Sequence, residues 1–300
     1  MRSEGGFAAA LAAGPLVLDG GLSHQLAAAG HDLDDALWSA RLLADHPRAL
    51  LTAHRAYARA GAEVLITASY QASFEGFARR GLDRAAAADL LASSVRLARR
   101  AQPDGWVAAS VGPYGAVLAD GSEYRGRYGL SVAALERFHR PRLEVLAAAG
   151  PDVLALETVP DLDEARAMLR AIEGLGVPAW LSYSVAGTRT RAGQPLAEAF
   201  AVAADSAQVV AVGVNCCAPQ DVGPAVRIAA EVTGKPVVVY PNSGERWQPA
   251  SRSWQGRALG PAPLAAGWVR DGARLVGGCC RVGPAAIAEL AAELTALRAR

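Results

Sequence analysis

Short apolar runs punctuate this chain at regular intervals: PLVLDGG (15–21), EVLITASY (63–70), WVAASVGP (106–113), DVLALETVP (152–160), AWLSYSV (179–185), VVAVGVNCC (209–217), PVVVYPNSG (236–244) and RLVGGCC (274–280). They are apolar nearly throughout rather than alternating, which suits strands buried on both faces of a parallel sheet covered by helices. Between them lie segments with apolar residues at helical spacing, such as AAAADLLASSVRLARRA (85–101) and LDEARAMLRAIEGL (162–175), many closed by glycine. Eight strand–helix units predict an α/β fold, a (β/α)8 TIM barrel formed as a single domain over residues 1–300. A doubly wound open sheet has the same local pattern and is the alternative. Two strand-to-helix connections, 110–131 and 240–263, are long and rich in Gly, Pro and aromatics, and read as lids over a site.

Composition removes several classes of function. Thirty basic against 29 acidic residues leave a net charge of +1, with no basic stripe to track a phosphate backbone, so nucleic acid is not expected as a partner. No apolar stretch approaches the roughly 20 residues needed to span a bilayer, so no membrane is expected either. The N-terminal MRSEGGFAAALAAGPLVLDGG resembles a signal peptide superficially, but Glu4 sits beside the arginine and cleavage near Gly14 would fall beside the first core strand. Four cysteines in 300 residues do not make a disulfide framework, and a reducing cytoplasm is the expectation. The only lysine, Lys235, precedes the seventh run and is expected on the stability face of a barrel, which removes Schiff-base chemistry. No phosphate-cradling or dinucleotide motif follows any strand.

In a barrel the active site is assembled at the carboxyl ends of the strands. Those ends carry Asp19-Gly20-Gly21, Thr67 with Tyr70, Ser110 with Gly112, Glu157-Thr158, Ser182 and Ser184, Asn215-Cys216-Cys217, Tyr240 with Asn242, and Cys279-Cys280. All four thiols therefore fall on one rim. Thiolates hold zinc tetrahedrally, and a catalytic site leaves one position open; buried apolar cysteines or a redox pair are the other readings of the same spacing. None of the five histidines lies at a strand end. Glu157 closes an apolar strand and calls for a cation, either a substrate ammonium or a structural arginine. Asp19 reads as a ligand contact or as the cap of the following helix, and the glycines after it as a carboxylate-binding turn or a tight turn alone. Tyr70, Tyr114, Trp247 and Trp254 could face a cationic ligand or could pack.

Eight segments in one order, LDGGLSHQL with DLDDALWS, ITASYQASFEGF, SVGPYGAVLADGSEYRGRYG, LALETVPDLDEA, GVNCCAP, VVYPNSGERW and GGCCRVGP, resemble the homocysteine S-methyltransferase family over residues 15–285. The similarity is in particular to the short S-methylmethionine:homocysteine methyltransferases. The resemblance implies a zinc ion (Zn2+) held by Cys216, Cys279 and Cys280, with Cys217 outside the ligand set. It implies homocysteine's amino and carboxylate groups near Asp19, Gly20, Gly21 and Glu157, with Tyr70, Asn215 and Tyr240 as further pocket residues. The activity implied is methyl transfer from a sulfonium donor, S-methylmethionine or S-adenosylmethionine, to the homocysteine thiolate on zinc, which forms methionine. A betaine-type or other thiol or selenol methyltransferase, and a zinc-storing or redox-sensing thiol protein, are the competing readings. The segment SYSVAGTRTRAGQPLAEA (182–199) departs from the commoner family version on the donor side.

Overall fold

The computed structural model describes residues 5–33, 37–248 and 253–299. Its strands are β1 (Leu16–Val17), β2 (Val64–Ile66), β3 (Trp106–Val111), β4 (Val153–Val159), β5 (Ala179–Tyr183), β6 (Val209–Asn215), β7 (Val237–Tyr240) and β8 (Ala273–Val276). From β2 to β8 each pairs in parallel with the next. β8 also pairs with β1, Leu275 opposite Leu16 and Val276 opposite Val17. A parallel bridge between Leu18 and Val64 closes the remaining gap, so the sheet is a barrel and not the open alternative.

Period-2 alternation sorts each strand between two cores. Leu16, Leu18, Val64, Trp106, Ala108, Val153, Ala155, Trp180, Ala211, Val238 and Leu275 fill the barrel interior. The intervening residues, such as Val17, Leu65, Val107, Leu154, Leu181 and Val212, pack outward with the helices. Continuing inward along each strand toward its carboxyl end replaces apolar with polar groups: Ser110 after Ala108, Glu157 after Ala155, Ser182 after Trp180, Asn215 two positions past Gly213, and Tyr240 after Val238. One end of the barrel is thus dry and the other chemically equipped.

The dry end is plugged by the segment with signal-peptide-like composition. Gly6–Ala13 is a helix whose buried Phe7, Ala10 and Leu11 join the interior core. The Phe7 ring stands edge-on to Trp106 at 5.4 Å between centroids and lies 6.4 Å from Trp180. At the equipped end, the expected lids contain structure of their own. Helix Tyr114–Leu118 and the single turn Ser122–Tyr124 lie in the first, and a two-stranded ribbon, Arg246–Gln248 with Ser253–Gln255, lies in the second. The fifth apolar run is shorter than its sequence suggests, because its tail enters a small hairpin pairing Val185–Ala186 with Arg189–Thr190. Lys235 caps the opposite face, Nζ donating to the carbonyls of Ser206 and Val209 at 2.9 Å each.

Candidate metal centre and substrate pocket

Three of the four thiols converge. Cys216 Sγ lies 2.7 Å from Cys279 Sγ and 3.7 Å from Cys280 Sγ, and all three lie within 4.8 Å of one another. Backbone geometry separates Cys216 from its neighbour. After the inward-facing Asn215, Cys216 takes a left-handed conformation at φ +49°, a cost that a non-glycine residue bears only where the surroundings enforce it. Cys217 is then delivered to the helix-facing core, fully buried among apolar residues, where burial raises its thiol pKa. It takes no part in the cluster.

Neighbouring strand ends fix the sulfurs. The Asn215 Oδ1 accepts from the Thr158 amide (2.7 Å) and from Ser182 Oγ (2.8 Å), while Nδ2 donates to Thr158 Oγ1 (2.7 Å), stitching β4, β5 and β6 together beneath Cys216. Both acceptor positions of the Asn215 amide oxygen are thus taken by protein groups. The loop after β7 holds the other two cysteines. Cys279 N–H donates to Pro241 O (2.7 Å), Cys280 N–H to Asn242 Oδ1 (3.1 Å), and Ser243 N–H to Cys280 O (3.0 Å). Just beyond, Arg281 forks onto Glu245 at 2.7 and 3.0 Å.

Gly20 and Gly21 owe their identity to this loop. A Cβ on Gly20 would lie 2.2 Å from Val282 O, and one on Gly21 2.5 Å from Cys279 O, so only glycine lets β1's exit pack against the cysteine loop. The Gly21 N–H already donates to Val282 O (2.9 Å), so of the two readings of these glycines this amide fits the tight turn. Tyr57 ties the same corner, its hydroxyl meeting Gly21 O (3.0 Å) and Val282 O (3.1 Å).

Two buried carboxyls share the barrel mouth. Asp19 does not cap the next helix, Leu22–Ala28, which has no side-chain cap. Its Oδ2 instead accepts from the Ile66 amide (2.9 Å) and its Oδ1 is buried without a partner. Burial holds its pKa well above the usual carboxylate range, the charge of Glu157 adding to the effect. Glu157 forms no ion pair with an arginine among the described residues; it accepts from Ser110 Oγ. Burial raises its pKa to about 7, against the pull of hydrogen bonds from Ser110 and Tyr240. Tyr240 in turn accepts from Trp180 Nε1 (3.0 Å) and sits 2.8 Å from Ser182 Oγ. Among the described residues neither carboxyl meets a cation, the condition under which a bound ammonium is favoured.

Tyr70 covers Gly112 with its ring and sits in the field of Cys216 and Glu123. Tyr114 turns away from the pocket: its ring packs against Phe138 (4.9 Å) and Tyr128 (5.4 Å), so the packing reading holds for it. The side chains of Trp247 and Trp254 are outside the described residues. Sequence reasoning passed over Tyr124, whose hydroxyl lies 3.7 Å from Cys216 Sγ, and Arg191, whose guanidinium stands 5.7 Å from the Tyr124 ring centroid. The only signal for Tyr124 was the aromatic richness of the first lid.

A closed (β/α)8 barrel that gathers three thiols and two cation-seeking carboxyls at the carboxyl ends of its strands defines an enzyme of the thiol-centred barrel class. The chain belongs to the homocysteine S-methyltransferase family, whose sequence profile matches residues 16–294. It is 42% identical to homocysteine S-methyltransferase YbgG of Bacillus subtilis, covering 94% of this chain and 95% of that one. It is 45% identical to homocysteine S-methyltransferase of Escherichia coli, over 93% and 94% of the two chains. The metallated crystal form of the Escherichia coli homocysteine methyltransferase MmuM superposes with a TM-score of 0.84 at 44% identity, over 93% of this chain and 96% of that one. The protein is therefore a methyltransferase.

Proposed function

We propose that this enzyme methylates homocysteine from a sulfonium donor, S-methylmethionine or S-adenosylmethionine, at a zinc ion held by Cys216, Cys279 and Cys280. The observation that carries the reading is the convergence of three free thiols beside two buried carboxyls that meet no cation among the described residues. The donor set suits zinc. Three sulfurs on a tetrahedral ion with bonds of about 2.3 Å lie about 3.8 Å apart, close to the 3.7 Å between Cys216 and Cys280, while the Cys216–Cys279 pair would have to open by about 1 Å. The thiols also conflict electrostatically without a cation: hydrogen bonds from Cys216 and Cys279 hold Cys280 well below the ordinary thiol range, while contacts with Cys216 and Cys280, and then burial, push Cys279 up. A divalent ion removes that conflict, and soft thiolates favour zinc over harder cations.

Zinc, when bound, lowers the pKa of a thiol that joins it, so that homocysteine is available as thiolate near neutral pH. The protein's own groups orient the reactants. Asp19 and Glu157 receive the homocysteine ammonium, Tyr240 and Asn215 hold Glu157 and the Cys216 turn in place, and Gly20 and Gly21 let the first loop press against the cysteine loop. Tyr70 and Tyr124 close over the sulfurs and exclude water. In the transfer the homocysteine sulfur, its proton already lost to solvent, forms a bond to the donor methyl carbon. The bond from that carbon to the sulfonium breaks, its electron pair staying on the donor sulfur, which leaves as a neutral thioether. No general base is needed at this step.

Free cysteines throughout fit a reducing cytoplasm, and no helix among the described residues is long and apolar enough to cross a membrane. The test is to give zinc-loaded protein homocysteine with each donor in turn and measure methionine. Methionine from at least one sulfonium, with a proton released when homocysteine binds near neutral pH, is the expected result. No methionine from either donor would overturn the reading.

A further inference from the structure

The single turn Ser122–Tyr124 hangs over the thiols, placing Tyr124 Oη 3.7 Å from Cys216 Sγ. The residue before it, Glu123, faces the same space: its charge acts on Cys280 and on Tyr70, and that of Cys216 acts on it. Glu123 Oε2 is buried and has no hydrogen-bond partner among the described residues. The nearby Arg125 pairs on the exposed side with Asp120, at 3.7 Å, and its charge is the smallest of the influences on Glu123. A carboxyl with a buried, partnerless oxygen beside anionic sulfurs is unfavourable by itself, and burial raises its pKa accordingly. The arrangement becomes favourable when a cation enters between Glu123 and the thiols.

Four positive centres could do so under the reading above: the metal, the homocysteine ammonium, and the ammonium and the sulfonium of the donor. The metal has the three sulfurs. The homocysteine ammonium has Asp19 and Glu157. The donor's ammonium travels with the donor's own α-carboxylate, so the positive centre left without a counter-charge is the donor's sulfonium. We propose that Glu123 is the donor-binding carboxylate that faces this sulfonium centre, a role that rests on the reading above and adds a specificity-determining residue to it. A neutral thioether, the form the donor takes after transfer, loses that attraction, so the same residue favours release of the spent donor.

The test uses zinc-loaded protein without homocysteine and calorimetric binding of S-methylmethionine, S-adenosylmethionine and homoleucine, in which a neutral CH replaces the sulfonium sulfur of S-methylmethionine. Wild type is expected to bind S-methylmethionine at least about tenfold more tightly than homoleucine, and Glu123→Gln to reduce that preference to about threefold or less. Metal stoichiometry and homocysteine affinity should stay unchanged, and the donor KM should rise; the two sulfonium arms show which donor gains from the residue. An equal fall in affinity for S-methylmethionine and homoleucine would assign Glu123 to the donor's ammonium and overturn the proposal, as would loss of zinc, which would make it a metal ligand. Should Glu123→Gln fail to fold, Glu123→Asp must show an intermediate preference, and a wild type that does not discriminate the pair overturns the proposal on its own. Sulfonium preference that depends on Glu123 in a protein forming no methionine would sink the methyltransfer reading and leave this one standing. Methionine formed by Glu123→Gln with an unchanged donor KM would do the reverse.

Discussion

Adjacent cysteines with opposite fates show how much one backbone angle decides. Cys216 turns inward through its left-handed conformation, and Cys217 is carried into the outer core. Cys279→Ser should therefore abolish stoichiometric metal retention and turnover, while Cys217→Ser should keep one metal per chain and lose only stability, by about 1–3 kcal/mol for a buried hydroxyl. Elemental analysis after dialysis decides it, and equal metal loss in both variants would refute the assignment. Glu157 gives a second residue-level test, with its sign fixed by the raised pKa of about 7 against an ordinary 4.5. Between those values the unfolded chain ionises this carboxyl while the folded chain keeps it protonated, so its contribution is lost as pH rises and the full cost, about 3 kcal/mol, is reached above 7. Metal-free Glu157→Gln should melt above wild type near pH 8 and match it near pH 4.5; a pH-independent difference would show that desolvation is not the cause. The cysteines and Glu157 were legible in the sequence because strand ends define the rim. Glu123 and Tyr124 were not, since nothing in a 22-residue connection says which of its side chains folds back over the thiols.

At the scale of elements, the loops that carry the site are tied by a buried triad with no sequence signature. Helix Val132–Ala148 supplies His139 and Arg142, and helix Leu162–Ile172 supplies Glu164. Arg142 donates to the carbonyls of Ala72 and Gly112, in the loops after β2 and β3, and to His139 Nδ1 at 2.7 Å. His139 Nε2 donates to Glu164 Oε1 (2.9 Å), which also accepts from the Tyr114 amide. Burial lowers the His139 pKa to about 4, with Arg142 adding to it, so the ring is neutral and its two nitrogens take fixed roles. Arg142→Met leaves two carbonyls and the Glu164 charge uncompensated, and should cost about 3–5 kcal/mol in denaturant unfolding. A loss under 1 kcal/mol would mean water replaces the guanidinium. Apolar runs announce strands and helices because burial repeats along them, whereas a polar triad drawn from two helices and bound to two loops has no period to read. Gly20 and Gly21 illustrate the same limit: the sequence leaves them as an anion-binding turn or a tight turn, and cannot show the Val282 and Cys279 carbonyls, some 260 residues away, that leave no room for a side chain.

For the whole molecule, the barrel keeps stability and chemistry at opposite ends. Its interior core ends at the N-terminal helix, where Phe7 is 3% exposed and packs on Trp106 and Trp180. The thiols lie beyond the next layers, above Ala155, Gly213 and Val238. The composition of the helix Gly6–Ala13, ambiguous as a sequence, acquires meaning only once the open end of a closed barrel exists for it to fill. Phe7→Ala would remove a buried ring whose neighbours are held by the closed sheet and cannot collapse inward, so it should cost about 3–5 kcal/mol. Because no strand register needs to change, metal content and the KM for homocysteine should stay at wild-type values well below the melting temperature. Paired thermal melts and kinetics measure both halves of the expectation. A raised homocysteine KM with little loss of stability would show that the plug communicates with the mouth, and the two ends of the barrel could then no longer be treated as independent.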